Sequence, residues 1–147
     1  MRLNYFLQHR VFRDVIHKGV GPLKVKEAIE NGNAEIFANL FMSAVEYWGE
    51  HSPEEAAKMK YEASILDLGT TKAVRCRFVG ELELAPAECS SIIIVATDKI
   101  YYFTVEKTLF GGSCMLCRWD GDSHLNYGSV EDDDPAFYAG KIAKAIV

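Results

Sequence analysis

A chain of 147 residues, 49% of them apolar and 25% charged, has the composition of a soluble globular protein. Its length predicts a single domain over residues 1–147 with its own hydrophobic core. The formal net charge is −5, and no apolar run approaches the roughly 18 residues that cross a bilayer, so we expect no membrane partner.

The N-terminal segment MRLNYFLQHRVFRD bears on the cellular compartment. Polar residues interrupt its apolar ones, so it lacks the continuous apolar stretch and the cleavage site of a signal peptide. Its single acid and lack of serine leave an organellar presequence as the alternative. The four cysteines do not suggest a disulfide scaffold in a chain of this length, and they fit a reducing compartment. We therefore predict a cytoplasmic protein.

Charge is divided unevenly along the chain. Residues 1–26 carry six basic groups and one acid, for a charge of +5, whereas residues 27–147 carry −10. This polarity would allow the N-terminal segment to contact the acidic body of the protein or a second subunit. Six cations spread over 26 residues of an acidic protein are a weak footprint for nucleic acid, so we predict no nucleic-acid partner.

The first 60 residues form the helical part of the predicted fold, with about three helices. Apolar residues at three- and four-residue steps indicate a helix at the start of the chain, which the sequence GVGP at 19–22 should stop. A short helix fits 24–30, and Asn33 is the predicted N-cap of a longer helix whose apolar stripe includes Trp48. The sequence SPEE at 52–55 has the cap and first-turn residues of another short helix.

The pattern then changes to alternation, which predicts an antiparallel sheet over 61–130. The stretch 91–97 is apolar and β-branched, as is typical of a central strand. Asp98 and Lys99 have the length of a two-residue hairpin turn. We expect strands at 61–67, 73–84, 91–97, 100–107 and 113–119, and a short sixth strand at 125–130.

A closing helix is predicted over 134–147, because an aspartate followed by a proline is a helix start. Helices, then an antiparallel meander of five or six strands, then one helix make an α+β fold. The apolar face of the closing helix is predicted to consist of Phe137, Tyr138, Ile142 and Ile146.

The segment CMLCRWDGDSH, residues 114–124, concentrates residue types that bind metals or take part in redox chemistry. Cys114 and Cys117 lie in an alternating stretch, and strand side chains three positions apart point to opposite faces. Their α-carbons would be about 10 Å apart, beyond the limit of about 7 Å for a disulfide. We predict plain sheet thiols, with structural zinc and a redox pair as the alternatives.

Asp120, Asp122 and His124 have the two-residue spacing that places three ligands on one face of an extended segment. A calcium loop of the EF-hand type would need a third acid where His124 stands and a glycine where Leu125 stands, so that motif is not met. We predict a turn in which the aspartates bond backbone amides, with no metal and no cofactor, and a metal site is the alternative.

The segment 120–134 carries six acids and no lysine or arginine. Four of them, at 131–134, precede the closing helix, where negative charge suits the positive end of the helix dipole. The remainder either face solvent or contact a basic partner, such as the cationic N-terminal helix of another subunit.

Motifs of nucleophilic, nucleotide-dependent and zinc-dependent catalysis do not occur in the sequence, including Gly-x-Ser-x-Gly, the Walker loop and His-Glu-x-x-His. We therefore predict a non-catalytic binding or assembly domain that joins a protein partner or a second copy through apolar helix faces and the acidic loop. The alternative is a ligand-binding domain or small enzyme with a pocket between sheet and helices, possibly metal-dependent, using His124 with Asp120 or Asp122. Trp119 and Trp48 are further candidate binding residues.

Overall fold

The computed structural model describes residues 21–39, 60–79, 89–107, 114–120, 123–130 and 135–146. These residues form an α+β fold built on a six-stranded antiparallel sheet. The predicted helices before residue 21 and over 52–59 lie outside the described residues. The helices are α1 (Pro22–Glu30), α2, described over 35–39, and α3 (Pro135–Ala145); the strands are β1 (Lys60–Asp67), β2 (Lys72–Val79), β3 (Cys89–Ala96), β4 (Ile100–Lys107), β5 (Cys114–Asp120) and β6 (Ser123–Val130).

Helix α1 begins two residues before its predicted start. Pro22 occupies the first turn, directly after Gly21, whose φ is 81°. Proline suits this position because its missing N–H would have no partner within the helix and its φ is already helical. The GVGP sequence therefore starts a helix in the structure, in addition to any role in ending the segment before it.

The end of α1 is a Schellman motif centred on Gly32. Its φ of 71° is the left-handed conformation that glycine adopts at no steric cost. The Gly32 amide donates to the Ile29 carbonyl at 3.1 Å, and the Asn33 amide donates to the Ala28 carbonyl at 2.8 Å. The prediction of Asn33 as an N-cap was wrong by one residue, because its amide closes α1 and the first carbonyl of α2 belongs to Ala34.

The strands follow one another in the sheet in the order β1-β2-β3-β4-β5-β6, and each pairs antiparallel with its neighbour. The predicted meander is confirmed, and β4 has the bounds expected from the sequence. Strand β2 was expected to reach residue 84; the structure describes it to Val79. Strand β3 lies third of the six and is buried from Ser91 to Ala96, as its β-branched composition indicated.

The hairpin between β3 and β4 differs from the prediction. Ala96 pairs with Ile100, so three residues form the loop, and the Thr97 amide donates to the Lys99 carbonyl at 2.9 Å. The physical reason is the backbone conformation. A two-residue type I′ turn needs positive φ at both central residues, and no non-glycine residue in the described part of the chain has positive φ.

Strand β6 is longer than the six residues expected, because it pairs with β5 from Ser123 onward. A β-bulge places Tyr127 and Gly128 opposite the single residue Leu116. Gly128 has a φ of 101°, and its amide donates to Asn126 Oδ1 at 2.7 Å. This polar, glycine-containing strand carries little of the alternation on which the prediction relied.

Both faces of the sheet carry buried clusters. The α1 face lies under α1 and α2, and the α3 face lies under α3. The buried residues of the α1 face are Val25, Ala28, Ile29, Phe37, Val74, Cys76, Ile92, Ile94, Ala96, Tyr102 and Trp119. Those of the α3 face are Leu66, Leu68, Ala73, Ile93, Val95, Phe103, Val105, Cys114, Leu116, Val130, Tyr138 and Ile142.

Helix α3 buries Tyr138 and Ile142 against the sheet, as predicted, and Ile146 is partly buried there. Phe137 was expected on the same face, and this was wrong: its side chain is 45% exposed. Successive helix residues are rotated by about 100°, so the stripe that passes through Tyr138 and Ile142 leaves Phe137 at its solvent margin.

Candidate functional site

The structure divides the CMLCRWDGDSH segment between two strands. Cys114 lies in the cluster of the α3 face, whereas Cys117 pairs with Thr104, the hydrogen-bond partner of Trp119 on the α1 face. The opposite orientation expected from strand alternation is confirmed. Both cysteines are buried and form no disulfide, and the same holds for Cys76.

Burial also determines the chemistry of Cys76. Desolvation raises the pKa of its thiol from 9.0 to about 12, because the surrounding core cannot solvate a thiolate. A thiol of this kind stays protonated at neutral pH, and the thiolate is the form that attacks substrates and binds metals. Cys76 is therefore a core residue and not a nucleophile.

Within the described residues, no group of three or more histidine, cysteine, aspartate or glutamate residues is arranged to hold a metal ion. Asp122 and the side chain of His124 lie outside the described residues, so the predicted cluster with Asp120 stays a prediction. Backbone pairing places position 124 opposite Trp119 and Asp120 opposite Ser123. The Ser123 hydroxyl donates to the Asp120 carbonyl at 2.9 Å, which closes the strand ends beside this hairpin.

Trp119 is largely a core residue. Its side chain is 5% exposed, and its Nε1 donates to the Thr104 hydroxyl at 2.9 Å in a buried hydrogen bond. An indole N–H usually finds such a partner when it is buried. Burial and this hydrogen bond hold the indole in one orientation within the cluster of the α1 face.

A cleft of 280 Å³ lies beside this tryptophan, at the end of the sheet where β4 starts and β5 ends. It contains two of the predicted site residues, Trp119 and the exposed Asp120. Trp48 lies outside the described residues. The lining residues come from the end of the β3–β4 loop, the start of β4 and the end of β5, and are Lys99, Ile100, Tyr101, Arg118, Trp119 and Asp120.

Arg118 is the best-anchored polar group of the cleft. It is half-buried, its Nη1 donates to the Ala145 carbonyl at 3.3 Å, and its Cζ lies 6.0 Å from the centroid of the Tyr101 ring. The carbonyl belongs to the last residue of α3, so a cation there also suits the negative end of the helix dipole. The guanidinium is thus held in place from two directions.

Sequence analysis missed Lys99, Tyr101 and Arg118. A signal existed for Arg118, a charged residue between two buried strand positions, Cys117 and Trp119, although Arg75 of β2 shows the same pattern. Lys99 and Tyr101 gave no such signal, because only the β4–β5 register brings them beside Arg118.

Three large apolar side chains in the described residues are exposed, and they lie on different elements. Leu23 on α1 is 82% exposed, Leu125 on β6 is 48% exposed and Phe137 on α3 is 45% exposed. Leu125 is the one that lies on a strand, in the position paired with Arg118.

None of the helices in the described part of the chain is both long and apolar enough to cross a membrane. Comparisons of the chain with protein-family models, with curated proteins and with solved structures found no match.

Proposed function

We propose that this chain is a non-catalytic binding or assembly domain and that it joins a second copy of itself along β6. The observation that carries the proposal is the composition of β6, which is an edge strand of the described sheet. Its eight residues, SHLNYGSV, include no aspartate, glutamate, lysine, arginine or proline. An edge strand of this kind offers its backbone N–H and C=O groups for pairing with another strand.

Strand β1, at the other edge of the described sheet, is a weaker candidate for the interface than β6. Strand β1 carries the exposed residues Glu62 and Asp67, and charged side chains are a common protection of edge strands against pairing. Two copies of β6 can pair antiparallel about a two-fold axis, the commonest symmetry of protein dimers, without bringing like charges together.

The described helices are weaker candidates for the interface. Their apolar faces pack on the protein's own sheet: Val25 and Ile29 of α1 belong to the cluster of one face, and Tyr138 and Ile142 of α3 to the cluster of the other. A role of the acidic loop in the interface stays a prediction. Asp120 is exposed in the structure, and the other acids of the loop, at 122 and 131–134, lie outside the described residues.

Pairing along β6 should involve its first half. The second half contains the bulge at Gly128, and the Lys141 amine donates to the Ser129 carbonyl at 3.1 Å. Bulges and lysines both interfere with the addition of a further strand. Ser123, Leu125 and Asn126 are exposed in the first half.

The test is Leu125→Lys, with Leu23→Lys as the matched control on α1. We expect native mass spectrometry and light scattering to show a dimer for the wild type and for Leu23→Lys. Leu125→Lys should be monomeric at the same concentration, because two lysines would face each other at the centre of the paired strands. A wild-type monomer at all concentrations, or equal dimerisation of the two variants, contradicts the proposal.

A second candidate function is the binding of a small ligand. The observation in its favour is that one cleft contains both Trp119 and Asp120, which the sequence had already singled out. A catalytic role for His124 has no support of this kind, so the candidate is limited to binding.

A further inference from the structure

We infer that the cleft at the β4–β5 end of the sheet binds a small zwitterion of the amino-acid class, with its carboxylate on Lys99 and Arg118 and its ammonium group on Asp120. This inference rests on the second candidate function and is independent of self-association along β6.

The volume of the cleft favours a small ligand. At 280 Å³ it is just below the range of typical ligand pockets, about 300 to 1,000 Å³. Most of a nucleotide or a fatty acid would extend beyond this space. A ligand with few non-hydrogen atoms needs strong polar contacts to bind, because it has little apolar surface to bury.

The charged side chains determine the polarity of the ligand. Lys99 and Arg118 are cationic and Asp120 is anionic, within a protein whose net charge is −5. Two cationic side chains at one cleft attract a carboxylate. Asp120 at the rim repels a multiply charged anion such as phosphate and attracts an ammonium group. A molecule with both charges satisfies all three side chains.

The Arg118 side chain is preorganised for this contact in the absence of a ligand. Its bond to the Ala145 carbonyl and its position over Tyr101 restrict the side chain, so little rotational freedom is lost on binding. The bond to the carbonyl uses one of the five N–H donors of the guanidinium. The guanidinium fork binds carboxylates through two parallel hydrogen bonds.

The Tyr101 ring is the apolar surface next to the polar contacts. Tyr101 and Arg118 lie on the α3 face, whereas the side chains of Ile100 and Trp119 belong to the α1 face. The ligand therefore needs no more than a small apolar group.

The experiment is a titration of the ¹⁵N-labelled full chain with each of the twenty L-amino acids, followed by NMR of the Tyr101, Arg118 and Asp120 amides. We expect at least one amino acid to give saturable shifts at these positions below about 10 mM. Its amide, which lacks the carboxylate, and its N-acetyl derivative, which lacks the ammonium group, should each bind about tenfold more weakly.

Lys99→Gln and Asp120→Asn should each weaken binding about tenfold, while Lys24→Gln on the exposed face of α1 should leave it unchanged. Lys99 and Asp120 are exposed, so these variants test the site without disturbing the core, whereas Arg118 also contacts α3.

Absence of shifts for all twenty amino acids overturns the inference, and so does equal binding of the amide or of the N-acetyl derivative. Equal loss in Lys24→Gln and Lys99→Gln shows a general charge effect and overturns it as well. Native mass spectrometry of the same samples reports self-association separately, so an oligomer that binds no probe contradicts only the ligand site.

Discussion

The two faces of the sheet carry polar contacts of different kinds. On the α3 face, polar contacts between helix and sheet lie at the margin: Arg118 bonds the Ala145 carbonyl, and Lys141 bonds the Ser129 carbonyl. On the α1 face, the polar contact between Trp119 and Thr104 is buried within the sheet itself. Helix α1 lies over β2 and β3, while α3 lies nearest β6.

The two kinds of polar contact should contribute differently to the free energy of unfolding. The two contacts on the α3 face orient α3, which packs on the sheet through apolar burial. The exposed Lys141 contact contributes little free energy, and the part-buried Arg118 contact contributes more. The buried pair on the α1 face is worth more when broken, because a polar group left in the core loses its partner without gaining water. The α3 face should therefore depend on packing, and the α1 face on packing together with specific polar chemistry.

The largest expected effect tests packing on the α3 face. Tyr138→Ala should lower the free energy of unfolding by about 3–5 kcal/mol, since its side chain is fully buried among the residues of that face. Phe137→Ala is the matched control on the same helix and should change it by less than about 0.5 kcal/mol. Urea denaturation measures both. Similar losses for the two variants would contradict the orientation of α3.

An intermediate effect tests the polar pair on the α1 face. Thr104→Val keeps the shape of the side chain and removes the acceptor of the Trp119 N–H, so we expect a loss of about 1–3 kcal/mol. A double-mutant cycle with Trp119→Phe isolates the hydrogen bond, and a coupling of about 1 kcal/mol is expected. Additive single losses would show that the pair contributes only through packing.

The smallest expected effect is the pH dependence of the free energy of unfolding that Cys76, on the same face, contributes. Its pKa is raised from 9.0 to about 12 in the folded protein, so the unfolded chain loses this proton first as the pH rises. The contribution of the thiol to stability is complete below pH 9.0 and is lost as the pH rises toward about 12.

Wild type should therefore lose up to about 1.4 kcal/mol per pH unit above pH 9 relative to Cys76→Ala. Urea denaturation at pH 8 and pH 10 measures the difference. Parallel stability curves for the two proteins would mean that the thiol is accessible to water in the folded state.

Local pattern was sufficient for much of the fold. Strand β4 and the C-terminal end of α1 lie where the sequence placed them, because alternation and an Asn-Gly helix end are properties of neighbouring residues. Local pattern was insufficient at Phe137. Successive helix residues are rotated by about 100°, so Tyr138 is buried in the core while its neighbour Phe137 is exposed.

By itself, the sequence determined the order of the described strands and of the helix that follows them, the central position of β3 and the opposite orientation of Cys114 and Cys117. These follow from the period of each element, which short-range chemistry sets. Only the tertiary structure decided that Lys99 and Tyr101 meet Arg118 and Asp120 in one cleft, and that β6 is a full strand with a bulge. Strand register and bulges depend on contacts between residues distant in the chain, and no local pattern contains them.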